Sequence, residues 1–284
     1  AAFVDHPPSW VVEPAEREAQ PPAGDELAAR LAAFIVKAEQ SLGSVIDVWQ
    51  IRRLPAFGEL TTEDFLKLAD QCGRGMMQQN PKKPIVLDTT AADLQVLAGA
   101  PFPEWLKGIA SAPFTSGPQP SEQLESALAN LKSASEATPA KLGYWLHGLR
   151  CEDRSASKRQ GRVEPPGQSA LLAQSLVMAN AEPTVQAVFY STLYDSAAAP
   201  GREGTRDGLI TADGNPRLGC VAAATTVGLL QGRKFNKRVE RGLGLYEYLF
   251  DSGDKGKAPL SVLWCSHGEA KVHCVFQPGS PVEV

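Results

Sequence analysis

The spacing of apolar residues alternates between two patterns along most of this chain. Apolar residues three or four positions apart predict helices, and short runs rich in Val, Ile and aromatic residues predict the strands between them. The clearest helix covers 25–43, where Asp25 is a good N-terminal cap and Gly43 occupies the position of a C-terminal cap. On this basis we predict helices at 25–43, 61–79, 103–109, 121–135, 168–181 and 216–230, and strands at 45–51, 84–88, 141–149 and 185–190.

The alternation of predicted strands and helices stops after residue 232. The predicted strands there cover 243–250, 260–266 and 270–276, and turns rich in Asp and Gly separate them. Short successive strands are typical of an antiparallel sheet, whereas alternating strands and helices favour a parallel one. We therefore predict an α/β domain over 1–232 and a small β-sandwich-like module over 233–284 that packs on it. The alternation alone fits a closed barrel or an open doubly wound sheet, and the sequence has no Gly-rich phosphate-binding loop to decide between them.

Composition narrows the classes of function. The chain has 284 residues, 43% of them hydrophobic, and a net charge of −4 with Lys and Arg dispersed along the sequence. Such a charge distribution offers no patch for nucleic acid or an acidic membrane surface. No apolar run reaches the roughly 18 residues that a membrane helix needs. We therefore expect neither a nucleic-acid partner nor membrane insertion.

The five cysteines lack the spacing of a zinc site, and their odd number argues against a complete disulfide framework. We expect neither a metal nor another cofactor. Cys265 and Cys274 flank a turn between two predicted strands, where cross-strand neighbours come within bridging distance. A disulfide between these two residues and a pair of separate thiols both stay open.

Several segments, taken in order, resemble the retaining glycoside hydrolases of the large (β/α)8 clan that includes β-xylosidases and cellulases. In that family the third strand ends in a segment similar to 6–10, and the fourth strand has the form Trp-Glu-Ile-Trp-Asn-Glu-Pro, which resembles 49–55. Residues 145–150 take the place of the seventh strand, 189–195 resemble the eighth, and 208–217 resemble the segment before the last barrel helix. The resemblance implies a TIM-type (β/α) barrel with a small C-terminal antiparallel β module. It also implies a location outside the cytoplasm, because enzymes of this clan are often exported.

The same resemblance places the first strand of this chain at the third strand of the family, so two strand–helix units are missing. Six strands of this pattern cannot close a barrel without leaving two parallel edges. Three explanations stay open. The alignment fails at its beginning, the loop at 7–24 covers the edges of an incomplete barrel, or a preceding domain or second chain completes it.

Retaining hydrolysis requires two carboxyl groups about 5 Å apart, one as nucleophile and one as acid and base. By the resemblance, the acid/base position falls on Leu54 and the nucleophile position on Gly148, and neither side chain is an acid. Glu152 and Asp5 are weaker candidates, because Glu152 better fits a solvated loop charge and Asp5 equally fits the end of a strand. The sequence therefore predicts that hydrolytic activity has been lost.

Other side chains at the predicted strand ends are suited to binding a sugar. Arg52 and Arg53 fit either an anionic group or a structural ion pair with Asp47 or Asp88, and the ion pair is the simpler interpretation. Aromatic residues in the same places can stack on sugar rings. The candidate ligand-binding residues are His6, Trp10, Arg52, Arg53, His147, Tyr190, Tyr194 and Asp195.

The leading prediction for function is a glycosidase-fold protein that binds carbohydrate, or serves as a scaffold, without cleaving it. An active hydrolase that uses relocated carboxylates is the first alternative, and a structural interaction module is the second. The fold by itself does not choose among them, because many unrelated activities share it.

Overall fold

The computed structural model divides into two compact units. The first comprises Ala1–Pro113, Ser126–Gly148 and Thr184–Phe189, and the second comprises Phe114–Glu125, Leu149–Pro183 and Tyr190–Val284. The predicted domain boundary at residue 232 stays a prediction. The residues that the structure describes are 2–3, 24–52, 60–99, 102–111, 120–137, 142–149, 167–190, 192–195, 208–241, 244–253 and 258–265.

Among these residues, six strands form one sheet. They are β1 (Ala2–Phe3), β2 (Trp49–Ile51), β3 (Ile85–Asp88), β4 (Leu106–Ser111), β5 (Gly143–Leu149) and β6 (Val185–Tyr190). Their order in the sheet follows their order in the chain, and each neighbouring pair from β1 to β5 is parallel. Parallel strands in chain order, with helices between them, are the arrangement of a (β/α) barrel. The predicted parallel α/β class is confirmed.

Six helices are described along the same part of the chain. They are α1 (Gly24–Leu42), α2 (Thr62–Gln79), α3 (Ala91–Ala98), α4 (Pro120–Ala137), α5 (Gln168–Ala181) and α6 (Leu218–Leu230). Helix α2 begins as predicted, because the side chain of Thr61 caps it and accepts a hydrogen bond from the backbone N–H of Asp64 at 3.2 Å. It ends at Gln79, just before Asn80 and Pro81.

Strand β4 corrects the predicted helix at 103–109. Apolar residues three positions apart mimic a helix there, but the backbone is extended from Leu106 and Ile109 is fully buried in the sheet. Gly108 suits its position in this strand, since a Cβ there would lie 3.0 Å from the carbonyl oxygen of Gly143 on the next strand. A buried parallel strand lacks the polar alternation that would have revealed it.

The pairing between β3 and β4 contains a register shift after Ile85. As a result, Val86 pairs with Gly108, and Asp88 at the end of β3 pairs with Ala110. Strand β4 therefore places two small residues, Gly108 and Ala110, beside the longer side chains of Val86 and Asp88 on β3.

Three further strands form a separate antiparallel sheet in the second unit. They are β7 (Arg233–Glu240), β8 (Leu245–Ser252) and β9 (Leu260–Cys265). On one face, the ring of Tyr248 stacks on Trp264 with centroids 4.8 Å apart, and the guanidinium of Arg238 lies 4.6 Å from the ring centroid of Tyr246. Predicted strands at 243–250 and 260–266 correspond to β8 and β9, whereas the predicted strand at 270–276 and Cys274 lie outside the described residues.

The opposite face of this sheet holds a buried carboxylate, Glu247. It accepts hydrogen bonds from Arg241 Nε at 2.7 Å and from Ser261 Oγ at 2.8 Å. Burial alone would raise the pKa of Glu247, but the hydrogen bonds from Ser261 and Arg241, and the charges of Arg241 and Lys237, lower it below its ordinary value.

Glu247 predicts a specific loss of stability in acid. Because the pKa of Glu247 is lower in the folded than in the unfolded chain, its contribution is complete above the unfolded pKa and disappears as the pH falls through the folded one. Urea unfolding of Glu247→Gln should give about 1 kcal/mol less stability than the unchanged protein near neutral pH, with the difference shrinking below about pH 4. Glu240→Gln, an exposed carboxylate of the same sheet, is the control. A difference that stays constant with pH would contradict the assignment.

Gly73 predicts a steric limit in α2. A Cβ there would lie 2.2 Å from the indole of Trp105, whereas a Cβ at Gly75 would have its nearest neighbour, a methyl of Val36, at 3.4 Å. Gly73→Ala should lower the free energy of unfolding by about 1–3 kcal/mol, because the buried indole must move. Gly75→Ala should raise it by about 0.5–1 kcal/mol, because alanine favours the helix. Chemical denaturation of both variants checks this, and equal effects would show that the indole does not depend on Gly73.

Candidate functional site

Three strands of the first unit bring polar side chains together at their C-terminal ends. Asp88, the last residue of β3, receives the Nε of Arg52 at 3.2 Å on one carboxylate oxygen and the Nε2 of His147 at 2.9 Å on the other. Arg52 directly follows β2, and His147 lies near the end of β5. Because the carboxyl ends of parallel strands share one edge of the sheet, residues far apart in the chain meet there.

The side-chain alternation of β2 explains why Arg52 reaches this cluster. Trp49 points to helix α1, where its indole N–H donates to the carboxylate of Glu39. Successive residues of a strand point to opposite faces, so Gln50 and Arg52 lie on the face away from α1. Gln50 pairs with Val86, which shares a face with Asp88. Arg52 and Asp88 therefore face the same side and can pair.

The three side chains differ in their exposure. His147 and Asp88 are mostly covered, with 6% and 14% of their side chains exposed, whereas Arg52 has 39% exposed. Since the carboxylate of Asp88 acts as the acceptor, the Nε2 of His147 carries the proton in this contact. Solvent therefore reaches the guanidinium of Arg52, whereas the Asp88–His147 pair is mostly covered.

Gly148 follows His147 at the position that the resemblance assigns to the nucleophile. Its φ is +71°, in the left-handed region that glycine adopts readily and other residues avoid. A residue with no side chain in this conformation supplies no carboxylate. The predicted acid/base position Leu54, and the candidates Asp5, His6, Trp10, Arg53 and Glu152, lie outside the described residues and stay predictions.

Three predicted ligand-binding residues lie in the second unit. Asp195 accepts hydrogen bonds from the backbone N–H of Gly208 at 2.8 Å and from the guanidinium of Arg217. The hydroxyl of Tyr190 receives the amide of Gln168 at 3.2 Å. These contacts hold the segment 208–217 in place.

The structure therefore gives Asp195 and Tyr190 an internal bonding role, and their predicted ligand role is untested. Tyr194 differs from both, because it is 56% exposed and presents its ring to solvent. Arg217 completes this group, and sequence reasoning missed it. In the sequence, its ion-pair partner Asp195 is only a single acidic residue shortly after a predicted strand, and nothing links it to Arg217.

Gln50 is a second residue that sequence reasoning missed. It is 1% exposed, and neither its amide nitrogen nor its amide oxygen has a hydrogen-bond partner among the described residues. A buried amide without partners costs free energy. Only its position in β2, two residues before Arg52, could have pointed to it.

Two features are absent from the described residues. They contain no group of three or more His, Cys, Asp or Glu side chains placed to hold a metal ion. None of their helices combines the length and the apolar character needed to cross a membrane. Cys265 ends β9, and its predicted partner Cys274 is not described, so the disulfide stays a prediction.

No protein-family model matches the chain, and no curated protein matches it. Solved structures do match. A family 39 glycoside hydrolase from the gut symbiont Bacteroides cellulosilyticus WH2 aligns with a TM-score of 0.65 at 17% identity, over 86% of this chain and 52% of that one. A β-glucuronidase from Bacteroides uniformis aligns with a TM-score of 0.51 at 10% identity, over 81% of this chain and 31% of that one.

A β-galacturonidase of glycoside hydrolase family 2 from Eisenbergiella tayi also aligns, with a TM-score of 0.51 at 11% identity, over 72% of this chain and 38% of that one. The chain therefore has a glycoside-hydrolase-like fold, a TIM-type barrel with a separate antiparallel sheet. It spans about half the length of the family 39 enzyme that it matches, 52%.

Gln50 and Gln168 form a matched pair for testing the buried amide. Both are buried, but the amide of Gln168 donates to Tyr190 and to the carbonyl of Gly208 at 3.0 Å. Gln50→Met should raise the free energy of unfolding by about 1–2 kcal/mol, because it removes polar atoms that have no partner. Gln168→Met should lower it by about 1–3 kcal/mol, because it leaves a buried carbonyl unpaired. Urea unfolding measures both, and a loss of stability in Gln50→Met would reveal a partner for that amide.

Proposed function

We propose that this protein binds carbohydrate without hydrolysing it, through the cluster formed by Arg52, Asp88 and His147. The observation that carries the proposal is Gly148. A left-handed glycine stands where the resemblance requires the nucleophile. Without that carboxylate, the covalent route of a retaining hydrolase has no attacking group.

The contacts of Asp88 give the second support. Asp88 is the carboxylate of this cluster, and both of its oxygens already have a protein partner, the guanidinium of Arg52 on one and the imidazole of His147 on the other. Attack on a sugar by Asp88, or proton transfer from it, would have to break the contact with Arg52 or with His147. This favours a fixed acceptor over a relocated catalytic group.

The same cluster has the chemistry that sugar hydroxyls require. A carboxylate offers about four acceptor positions, so Asp88 can accept from a hydroxyl in addition to its two protein donors. The partly open guanidinium of Arg52 lies beside it and can donate to a hydroxyl oxygen or to a sugar carboxylate. Donor and acceptor side by side suit the paired hydroxyls of a sugar ring.

The choice of sugars for a test follows from this chemistry. Neutral oligosaccharides would use the Asp88–Arg52 pair, whereas uronic acids would use the arginine alone. Two of the matched structures are named as a β-glucuronidase and a β-galacturonidase, which act on acidic sugars by their names. A panel should therefore contain neutral and uronic-acid oligosaccharides and polysaccharides.

The test combines binding with release of sugar. Calorimetry or affinity electrophoresis of the purified chain against the panel should detect at least one ligand, with no new reducing ends after a day. Arg52→Gln should weaken binding about tenfold or more, because a charge-assisted hydrogen bond is lost. Arg74→Gln is the matched control, since Arg74 also pairs with an aspartate, Asp70, but lies on the exposed face of helix α2.

Three results would contradict the proposal. Release of sugar that Glu152→Gln abolishes would establish a relocated active site. Equal binding by the two arginine variants would remove the Asp88 cluster from the binding surface. Absence of both binding and release across the panel would favour a structural interaction module instead.

A further inference from the structure

A cavity of about 470 Å³ opens between helix α2 and the segment that precedes strand β4. Three residues of α2, which are Asp70, Arg74 and Met77, line one side of it, and the four residues 102–105 line the other. All of them belong to the first compact unit. The volume lies within the roughly 300–1,000 Å³ that is usual for sites of small molecules.

This cavity lies at the other edge of the sheet from the Asp88 cluster. Asp88 is the last residue of β3, whereas Trp105 directly precedes the first residue of β4, and these neighbouring strands are parallel. Strand β4 has six residues, so its two ends are roughly 20 Å apart at about 3.3 Å per residue. The cavity is therefore a place separate from the proposed sugar site.

One carboxylate holds the two sides of the cavity together. Asp70 accepts a hydrogen bond from the indole N–H of Trp105 at 2.9 Å on one oxygen and from the Nε of Arg74 at 2.7 Å on the other. Gly73 allows the indole to approach α2, because a Cβ at this position would lie 2.2 Å from the ring. This wall is fixed before a ligand arrives, and a fixed wall lowers the entropy cost of binding.

The charges around the cavity favour a cation. Asp70 and Arg74 form an ion pair and offset each other. The exposed carboxylate of Glu104 makes no ion pair or hydrogen bond with another described residue, since Lys107 donates to the backbone carbonyl of Glu104 instead, at 2.6 Å. The lining thus contains two carboxylates and one guanidinium, and the charge of Glu104 is left to attract a ligand of opposite sign.

The apolar part of the lining favours an organic cation over a metal ion. Phe102 and Trp105 are aromatic, and an ammonium group is attracted to the face of an aromatic ring. The flexible thioether of Met77 can adapt to an irregular apolar group. A hard metal ion would need several oxygen ligands, and the described residues hold no group of three or more His, Cys, Asp or Glu placed to bind one.

We propose that this cavity binds a small organic ammonium compound, with the ammonium group beside Glu104 and the apolar group against Phe102 and Met77. Arg74 belongs to the wall through its ion pair with Asp70, and the ammonium group does not contact it. This inference does not depend on sugar binding, because the Asp88 cluster lies at the opposite edge of the sheet.

The first experiment compares three probes that share a phenyl ring and differ in charge. They are 2-phenylethylammonium, 2-phenylethanol and 3-phenylpropanoate, each titrated into the ¹⁵N-labelled protein near neutral pH and followed by NMR. The ammonium probe should bind about threefold or more tightly than the alcohol, and the propanoate more weakly than either. The backbone amides of Gly73 and Trp105 should shift, whereas those of Asp88 and His147 should stay unchanged.

The second experiment removes the groups assigned to the ligand. Glu104→Gln keeps the shape of the side chain and removes its charge, and it should weaken binding of 2-phenylethylammonium about threefold or more. Glu63→Gln, at an exposed carboxylate in the first turn of the same helix, is the matched control and should leave the affinity unchanged. Phe102→Leu removes the aromatic ring, keeps an apolar side chain and should weaken binding about twofold or more.

Four results would overturn the proposal. Absence of shifts at Gly73 and Trp105 with the ammonium probe at about 10 mM would show that the cavity takes no such ligand. Tighter binding of 3-phenylpropanoate would assign the cavity to anions. Equal affinity for the alcohol and the ammonium probe would show that charge plays no part. Equal weakening by Glu104→Gln and Glu63→Gln would assign the attraction to the overall charge of the protein.

Discussion

Asp88 joins three strands through a single carboxylate. Its two oxygens receive Arg52 from the end of β2 and His147 from β5, so the side chains at this edge of the sheet depend on one residue. Trp49 is hydrogen-bonded to Glu39 of α1, and strand alternation then places Arg52 on the opposite face of the sheet. The contact of Trp49 with α1 and the position of Arg52 in the cluster are therefore consistent with one facing of β2.

The stability of the fold and the chemistry of a catalytic site have different physical bases. The fold depends on buried strands and on close contacts such as that of Gly108 with the next strand. None of these contacts involves a reacting group, so the fold does not depend on a carboxylate at position 148. This separation of scaffold from chemistry is why a likeness to glycoside hydrolases at 17% identity establishes architecture alone.

Sequence reasoning succeeded where local signals were strong. Helix α5 and strand β6 have the predicted bounds, and α2 begins at the predicted cap, because capping residues and period are properties of neighbouring residues. It failed for β4, whose apolar spacing resembles a helix, and for α3, which the prediction omits. Strand β7 was also missed, because its sequence is mostly polar and only its pairing with β8 makes it a strand.

The candidate site shows the same division. Arg52 and His147 were predicted, and the ion pair of Arg52 with Asp88 is one of the pairings that the sequence left open. That Asp88 also binds His147, and that Gln50 is buried nearby in β2, depends on strand register, which no local pattern specifies. Residues in the undescribed segments, Leu54 and Glu152 among them, stay predictions.

The narrowness of β4 has a consequence for the contact between Asp88 and His147. These residues belong to strands that are not neighbours, because β4 lies between them and pairs Ala110 with Asp88 on one side and with Trp145 on the other. Adjacent strands are about 4.8 Å apart, so the imidazole must bridge the width of a whole strand. Ala110, which stands between the two strands at this level, has a small side chain that leaves room for this contact. A longer side chain at position 110 would push Asp88 and His147 apart. Strand β4 therefore affects this hydrogen bond although it contributes no polar side chain to it.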